Sequence, residues 1–267
     1  MIRRMLTPVF IVCAYLFLLA PILIIVVQSF NGDSALSFPV RSLTTRWYGA
    51  IKPTFYDALI VSLIVALVTA LVSVILGVPA ALALVRGRFP GRTLINTLCL
   101  SPLMVPALVT GVAVYQYSLL LWDITGFAIG GTIIGLVVGH LTFGIAFVIR
   151  SVIAGQARFD ASLEEAAQNL GASPLTTFRR VTLPILRPSI VSGGIFAFIM
   201  SLDDVPIALF MGGGDATTLP IRIFTTIEFS FGGDVMAISA IIVMASFLIM
   251  LVLDRLIGLE QMFGSKQ

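Results

Sequence analysis

The sequence is short of charge. Only 11% of its 267 residues are Asp, Glu, Lys or Arg, against 58% that are hydrophobic. Soluble domains carry about 25% charged residues, so the composition excludes that class and points to an integral membrane protein. Histidine is nearly absent: His140 stands alone. One histidine excludes an HExxH zinc pair and leaves no plausible Ser-His-Asp set, and no Gly-x-Ser-x-Gly elbow is present. Lysine is nearly absent too, and neither Lys52 nor Lys266 follows a glycine-rich phosphate loop. No nucleotide site of the chain's own is recognisable. These gaps predict a protein that is not an enzyme, with no catalytic residues, no bound cofactor and no metal. Cys13 and Cys99 are isolated in apolar runs and are expected to be small core residues, not a disulfide or metal pair. No basic patch interleaved with aromatics is present, so nucleic acid is not an expected partner.

What is present is long uncharged runs. From Met5 to Gly32 no residue is charged, more than the roughly 20 residues that one crossing needs. A signal peptide would have a shorter run and a small-x-small cleavage site, so a retained first helix is expected over 8–30. Further helices are predicted over 57–85, 94–121, 132–153, 189–211 and 235–257. The expectation is an all-α membrane protein in a lipid bilayer, with six transmembrane helices in one domain over 1–267 and a short polar tail from Gly258. Trp47, Tyr48 and Tyr56 in the first loop suit a membrane interface. The segment from Leu219 to Gly233 suits a short re-entrant or interfacial helix.

Three of these helices carry residues that lipid does not favour. Pro102 and Pro106 each free a carbonyl in the third helix and bend it. Such a break is tolerated beside a cavity or another helix, so the two prolines are candidates for lining a translocation path; a packing kink is the alternative. Gly131, Gly135 and Gly139 form a small-residue face for close helix packing. His140 reads as a hydrogen-bonded packing residue more readily than as a proton relay or a ligand. Asp203 and Asp204, with Pro206, interrupt the fifth helix, and Gly212-Gly213-Gly214 ends it. Carboxylates at that depth are costly and face a cavity or a partner.

Charge sets the expected orientation. With six helices and both termini cytoplasmic, Arg3, Arg4, Arg86, Arg88, Arg92, Arg150, Arg158, Arg179, Arg180, Arg187, Arg255 and Lys266 fall inside. Only Arg41, Arg46, Lys52 and Arg222 fall outside, a clear positive-inside bias. The outer half also collects Asp33, Asp57, Asp123, Asp203, Asp204, Asp215, Glu228 and Asp234, an acidic mouth that would attract cations.

The 155–188 segment is different in kind. Ser162 and Glu165 have capping-box spacing, and Asp160, Glu164 and Glu165 place negative charge at a helix start. Leu163, Ala166, Ala167 and Leu170 fall on one small apolar face. Gly171 fits a left-handed helix stop, Ser173-Pro174 opens a second short helix, and Pro184 and Pro188 are expected to limit it. An ordinary amphipathic loop helix would satisfy this spacing equally well.

Glu165-Ala166-Ala167, Gly171, Val181 and Leu183-Pro184, at their spacing, resemble the EAA loop of ABC importer permeases; Val181 stands where the family usually has Ile. The resemblance implies the type I ABC importer permease fold in a bacterial inner membrane, as a multi-pass chain. It implies a coupling helix that docks on an ATPase, with Glu164, Glu165, Ala166, Ala167, Leu170, Gly171, Leu183 and Pro184 as coupling residues. The implied partners are a second homologous permease chain, two ATP-binding cassette subunits holding ATP and Mg, and a periplasmic solute-binding protein. Thr44-Thr45-Arg46-Trp47-Tyr48, Ser201-Leu202-Asp203-Asp204 and Thr218-Leu219-Pro220 resemble the spermidine/putrescine branch. That branch also contains permeases for opines, amino-acid derivatives and aminophosphonates. The expected function is import of a polyamine by alternating access, with Asp203, Asp204, Pro102 and Pro106 on the substrate path. A channel or secondary transporter without an ATPase is the reading from another class.

Overall fold

The computed structural model describes residues 2–33, 37–157, 159–229 and 232–257. Arg158, Lys266 and the tail from Gly258, and the side chains of Arg3, Arg4 and Arg255, lie outside the described residues. Helices follow one another in the order α1 (Ile2–Gln28), α2 (Arg46–Gly49), α3 (Pro53–Arg86), α4 (Arg92–Leu100), α5 (Ala107–Thr125) and α6 (Ile133–Gln156). They continue as α7 (Ser162–Asn169), α8 (Pro174–Thr177), α9 (Leu183–Leu202), α10 (Pro206–Met211), α11 (Leu219–Phe229) and α12 (Gly233–Ile257). Among the described residues, five helical stretches are long and apolar enough to cross a membrane: Phe10–Gln28, Pro53–Arg86, Ala107–Thr125, Ile133–Gln156 and Pro174–Leu202. Gly233–Leu248 is a shorter apolar stretch.

Three expected elements differ. The helix expected over 94–121 is two helices, because Pro102 sits in a 3-10 turn, Ser101–Leu103, and Pro106 caps α5. Pro102 has no amide to donate, and Pro106 is extended at φ −55°, ψ 131°, so a full break replaces a bend. The freed backbone is re-satisfied locally: Met104 and Val105 donate to the Ser101 carbonyl, and Val109 and Thr110 to that of Pro106. The helix expected over 189–211 starts earlier, at Leu183; its expected interruption at Asp203, Asp204 and Pro206 is present, with α9 stopping at Leu202 and Pro206 opening α10. Pro184 and Pro188 do not end the helix before them. A π turn, Phe178–Thr182, joins α8 to α9. Such a wide turn accommodates a proline, which lacks an amide and crowds the carbonyl four residues back.

The chain forms two compact units. One comprises, among the described residues, most of the chain from Ala58 to Ile221. At its centre is α6, whose best apolar window is 44% buried inside the protein. Val148, Ile149 and Val152 of α6 pack with Ala81 and Leu84 of α3 and with Leu186 and Ala197 of α9. A second cluster joins Val65, Val114 and Leu136 to Ile207, Ala208 and Met211 of α10. Contact between α6 and α10 is close: a Cβ on Gly139 would stand 2.5 Å from Ile207 Cγ2. Such proximity lets backbones gain dispersion contacts, which drive packing where lipid removes the hydrophobic term. Gly131 does not join that face. It lies in the turn before α6 with φ +73°. Cys99 is half-buried against the α3–α6–α9 core.

The other unit comprises Met1–Asp57 and Arg222–Leu256. None of the apolar window of α1 is buried in protein, and Phe10 and Phe17 are exposed. An apolar helix of this length without a protein cover is suited to lipid. Cys13 is exposed on that helix, not in a core as expected, since a thiol is apolar enough for lipid contact. The polar end is well built. Trp47 Nε1 donates to the Asn31 carbonyl at 2.7 Å, the Ser29 and Tyr48 hydroxyls are 2.7 Å apart, and Asn31 Nδ2 donates to Gln28 Oε1 at 2.9 Å.

Candidate functional site: a polar loop and a broken helix

The first polar region is the loop helix α7 with its flanks. Asp160, not Ser162, caps it: the Ser162 amide donates to Asp160 Oδ1 at 3.0 Å. The capping box expected of Ser162 and Glu165 is not formed. Ala161 already has helical dihedrals (φ −63°, ψ −24°), so Ser162 lies inside the helix and cannot serve as its N-cap. Hydrogen bonds from the Ser162 side chain and amide hold the exposed Asp160 carboxyl below its usual range.

At the other end, Gly171 takes φ +87°. Its amide donates to the Gln168 carbonyl at 2.9 Å and that of Ala172 to Ala167 at 3.1 Å, the paired bonds of a Schellman stop. Ser173 then caps α8, accepting from the Thr176 amide at 3.3 Å, with Pro174 as the first helical residue.

The two glutamates of α7 divide. Glu164 is turned inward: Arg86 Nη2 at the end of α3 lies 2.9 Å from its Oε1, and the Thr182 hydroxyl donates to the same oxygen. Glu165 is exposed, as are Leu163 and Ala166, and Leu170 is 90% exposed. Ala167 is half-buried; Leu183 and Pro184 are exposed at the start of α9. The loop thus presents Glu165, a small helix face and Leu170 outward, in front of an inward ion pair.

The second region is the break between α9 and α10. Asp204 Oδ2 accepts from the Ile207 amide at 2.9 Å and the Ala208 amide at 3.0 Å, capping α10 with a charge its dipole favours. The same oxygen is 3.4 Å from His140 Nε2, and the Asp204 side chain is only 8% exposed. His140 is fully buried on α6, with Nδ1 2.6 Å from the Ser201 hydroxyl of α9. The imidazole is hydrogen-bonded to α9 through Ser201 and lies beside the Asp204 carboxylate across the break, near the Phe143 ring (5.5 Å between centroids). The Asp203 amide closes α9 on the Ile199 carbonyl, but its exposed carboxylate has no hydrogen bond or ion pair among the described residues.

Ser201, His140 and Asp204 have the composition of a hydrolytic triad but not its access. Ser201 is 2% exposed, so no substrate carbonyl reaches its hydroxyl, and Asp204 Oδ2 is engaged by two amides. The set holds a helix break together. His140 does have a carboxylate beside it, contrary to what its sequence neighbours suggest; that neighbour is 64 positions away.

The prolines lie elsewhere. A cavity of about 420 Å³ opens along α5 and α6, lined by Ser101, Pro102, Thr110, Tyr117, Val138 and Thr142 among others. Pro102 belongs to it; Asp203 and Asp204 do not. On α5 the face at Gly111 meets α10 instead, where a Cβ would lie 2.7 Å from the Pro206 carbonyl, and Tyr115 lies near Phe210. His140 is the buried, hydrogen-bonded packing residue expected of it, though its partners were not foreseen. Sequence reading missed Arg86, Thr182 and Ser201 as members of these two polar clusters; of these only Ser201 had a signal, in its place before the two aspartates.

An apolar bundle with satisfied helix breaks and a polar helical loop is the architecture of ABC importer permeases. A chain in the crystal structure of a bacterial ABC transporter involved in the import of the acidic polysaccharide alginate superposes with a TM-score of 0.67 at 17% identity, covering 94% of each chain. The chain belongs to the family of binding-protein-dependent transport system inner membrane components, matched over residues 73–259. It is 35% identical over 237 residues to the putrescine transport system permease protein PotI of Escherichia coli, covering 88% of this chain and 84% of the relative. It is 30% identical over 267 residues to the spermidine/putrescine transport system permease protein PotC of the same species, covering 99% and 98%. The protein is thus a multi-pass inner-membrane transport component and not an enzyme. ATP hydrolysis resides in a separate subunit.

Proposed function

We propose that this chain is a permease subunit of an ATP-driven importer that carries a polyamine, such as putrescine or spermidine, across the bacterial inner membrane. The observation that carries the substrate class is Asp203, an exposed and unpaired carboxylate at a helix break, in a chain similar over nearly its whole length to putrescine and spermidine/putrescine permeases. A carboxylate at that position suits a passing ammonium group. In this reading the chain has six spans in a single domain, with both termini cytoplasmic. It pairs with a second homologous permease and with two cassette subunits that hold ATP and Mg. It receives solute from a periplasmic binding protein. The face of exposed Glu165, Ala166 and Leu170 with half-buried Ala167, turned by Gly171 and followed by Leu183-Pro184, docks on a cassette subunit. ATP-driven closure of the cassettes then moves the loop and switches the pore from inward- to outward-facing. Pro102, which lines the cavity, and Pro106, at the same helix break, are path-lining residues in this reading.

The test is uptake of labelled putrescine and spermidine into cells that lack their own polyamine import and express this chain with its neighbouring transporter genes. Energy-dependent uptake, competed by unlabelled polyamine and not by opines, amino acids or aminophosphonates, is expected. Uptake of one of those competitors in place of polyamine would keep the importer and discard the polyamine.

A further inference from the structure

Three elements meet at Glu164. Arg86 ends α3, Thr182 is fully buried in the π turn that leads into α9, and Glu164 is on α7. Both neighbours bind the same carboxylate oxygen, Oε1. The Arg86 guanidinium also lies over the Phe159 ring at 5.7 Å, just ahead of α7. Arg86 sits where the negative end of the α3 dipole favours a cation. Glu164 keeps 19% of its side-chain surface exposed, while Glu165, next to it, is exposed. A carboxylate already engaged by its own chain is a poor docking contact, because a partner would have to replace a charge-assisted bond already made.

We infer that Glu164 and Arg86 form a strut that ties the docking helix α7 to α3 and α9, so that α7 moves with them and not independently. Glu164 is a positioning residue, and the contact with the cassette subunit falls to Glu165 and the exposed face. The strut rests on the importer reading above. Its consequence for transport follows from α9, which begins at the π turn beside Thr182 and ends at the Asp203–Asp204 break. Displacement of α7 is delivered to the element that ends in the carboxylates. A physical coupling claim of this kind requires that breaking the link change the coupling and that restoring the link restore it.

The experiment uses the whole transporter, purified through a tag on this chain and reconstituted in liposomes. It measures labelled spermidine imported per ATP hydrolysed, and the amount of cassette subunit retained. Arg86→Glu and Glu164→Arg should each retain the cassette subunit yet lower the solute-to-ATP ratio about fivefold, within the range that coupling residues reach. The double charge swap, Arg86→Glu with Glu164→Arg, should return the ratio to within about twofold of the unaltered protein. Glu164→Gln keeps an acceptor for Thr182 and removes only charge. It should fold normally and lower the ratio about twofold. An unchanged ratio in Glu164→Gln and the single reversals would overturn the strut. So would a swap that restores nothing, or loss of the cassette subunit from Glu164→Arg. If the unaltered transporter shows no ATP-driven spermidine uptake, the failure belongs to the polyamine reading, and the ratio is then measured with the solute it does carry.

Discussion

Two adjacent pairs of acids, Glu164-Glu165 and Asp203-Asp204, sit at opposite ends of α9 and its lead-in, and they are built alike. In each pair one carboxylate is turned into the protein and consumed by it. Glu164 holds Arg86 and Thr182; Asp204 holds the α10 amides and lies beside His140. The neighbouring acid, Glu165 or Asp203, is exposed. The difference lies in what surrounds them. The Glu164 pair is half in water, where an isolated ion pair contributes about 1 kcal/mol or less. The Asp204 cluster is buried, where an unsatisfied group costs about 1–3 kcal/mol. Loss of an inner acid should therefore act on geometry in the loop and on folding at the break. Loss of an outer acid should act on a partner at one end and on a solute at the other.

The largest effect expected is from Asp203→Asn combined with Asp204→Asn, which should abolish polyamine uptake through loss of the solute contact at Asp203 and loosening of the break at Asp204, with the cassette subunit retained. Normal uptake by that variant would remove Asp203 from the path and the Asp204 cap from any role in transport. Glu165→Lys comes next. It should strip the cassette subunit from the purified complex or uncouple hydrolysis from transport, as should Gly171→Pro, because Gly171 holds φ +87° and proline is fixed near −65°. Transport at normal coupling in both variants would end the docking reading of α7. His140→Phe should lower the melting temperature of the complex by several degrees, corresponding to about 1–3 kcal/mol for the buried Ser201 hydroxyl left without its partner. His140→Gln, which can bond to Ser201, should recover part of that loss. Equal melting temperatures for the two variants would show that the imidazole acts only as packing.

The smallest effect concerns Asp160. Its carboxyl is held below its ordinary value in the folded loop, so its stabilisation is fully present above the unfolded carboxylate value and is lost as pH falls through the lower folded one. Hydrogen exchange at the start of α7 should be flat between about pH 8 and 5, once corrected for the intrinsic rate, and should rise only under stronger acid. A rise already at pH 6 would contradict the cap.

Legibility in the sequence followed range. The stop at Gly171 and the start at Ser173-Pro174 are local, set by dihedrals and neighbours within a few residues, and the structure forms both as expected. The interruption at Asp203, Asp204 and Pro206 was legible as a break, whereas Pro102 and Pro106 were legible only as a bend: there the helix ends outright because the backbone finds carbonyls at Ser101 and Pro106. Asp203 and Asp204 were visible as charges in an apolar run, yet their division of labour was not. It depends on α10 amides and on His140, brought together only by the packing of α6 against α9 and α10. Arg86 and Glu164 are 78 positions apart, and nothing in spacing or periodicity joins them. The capping box failed for a local reason, since the helix starts before Ser162 and Asp160 already serves it.

The most direct measurement compares Asp203→Asn with Asp204→Asn singly, each assayed for spermidine uptake kinetics and for melting temperature of the purified complex. Asp203→Asn should raise the KM for spermidine about tenfold or more with no change in melting temperature. Asp204→Asn should lower the melting temperature by several degrees, corresponding to about 1–3 kcal/mol for the lost cap charge and its buried bonds. The reverse assignment, with Asp203 moving stability and Asp204 moving KM alone, would contradict the division between an inner acid that builds the break and an outer acid that meets the solute.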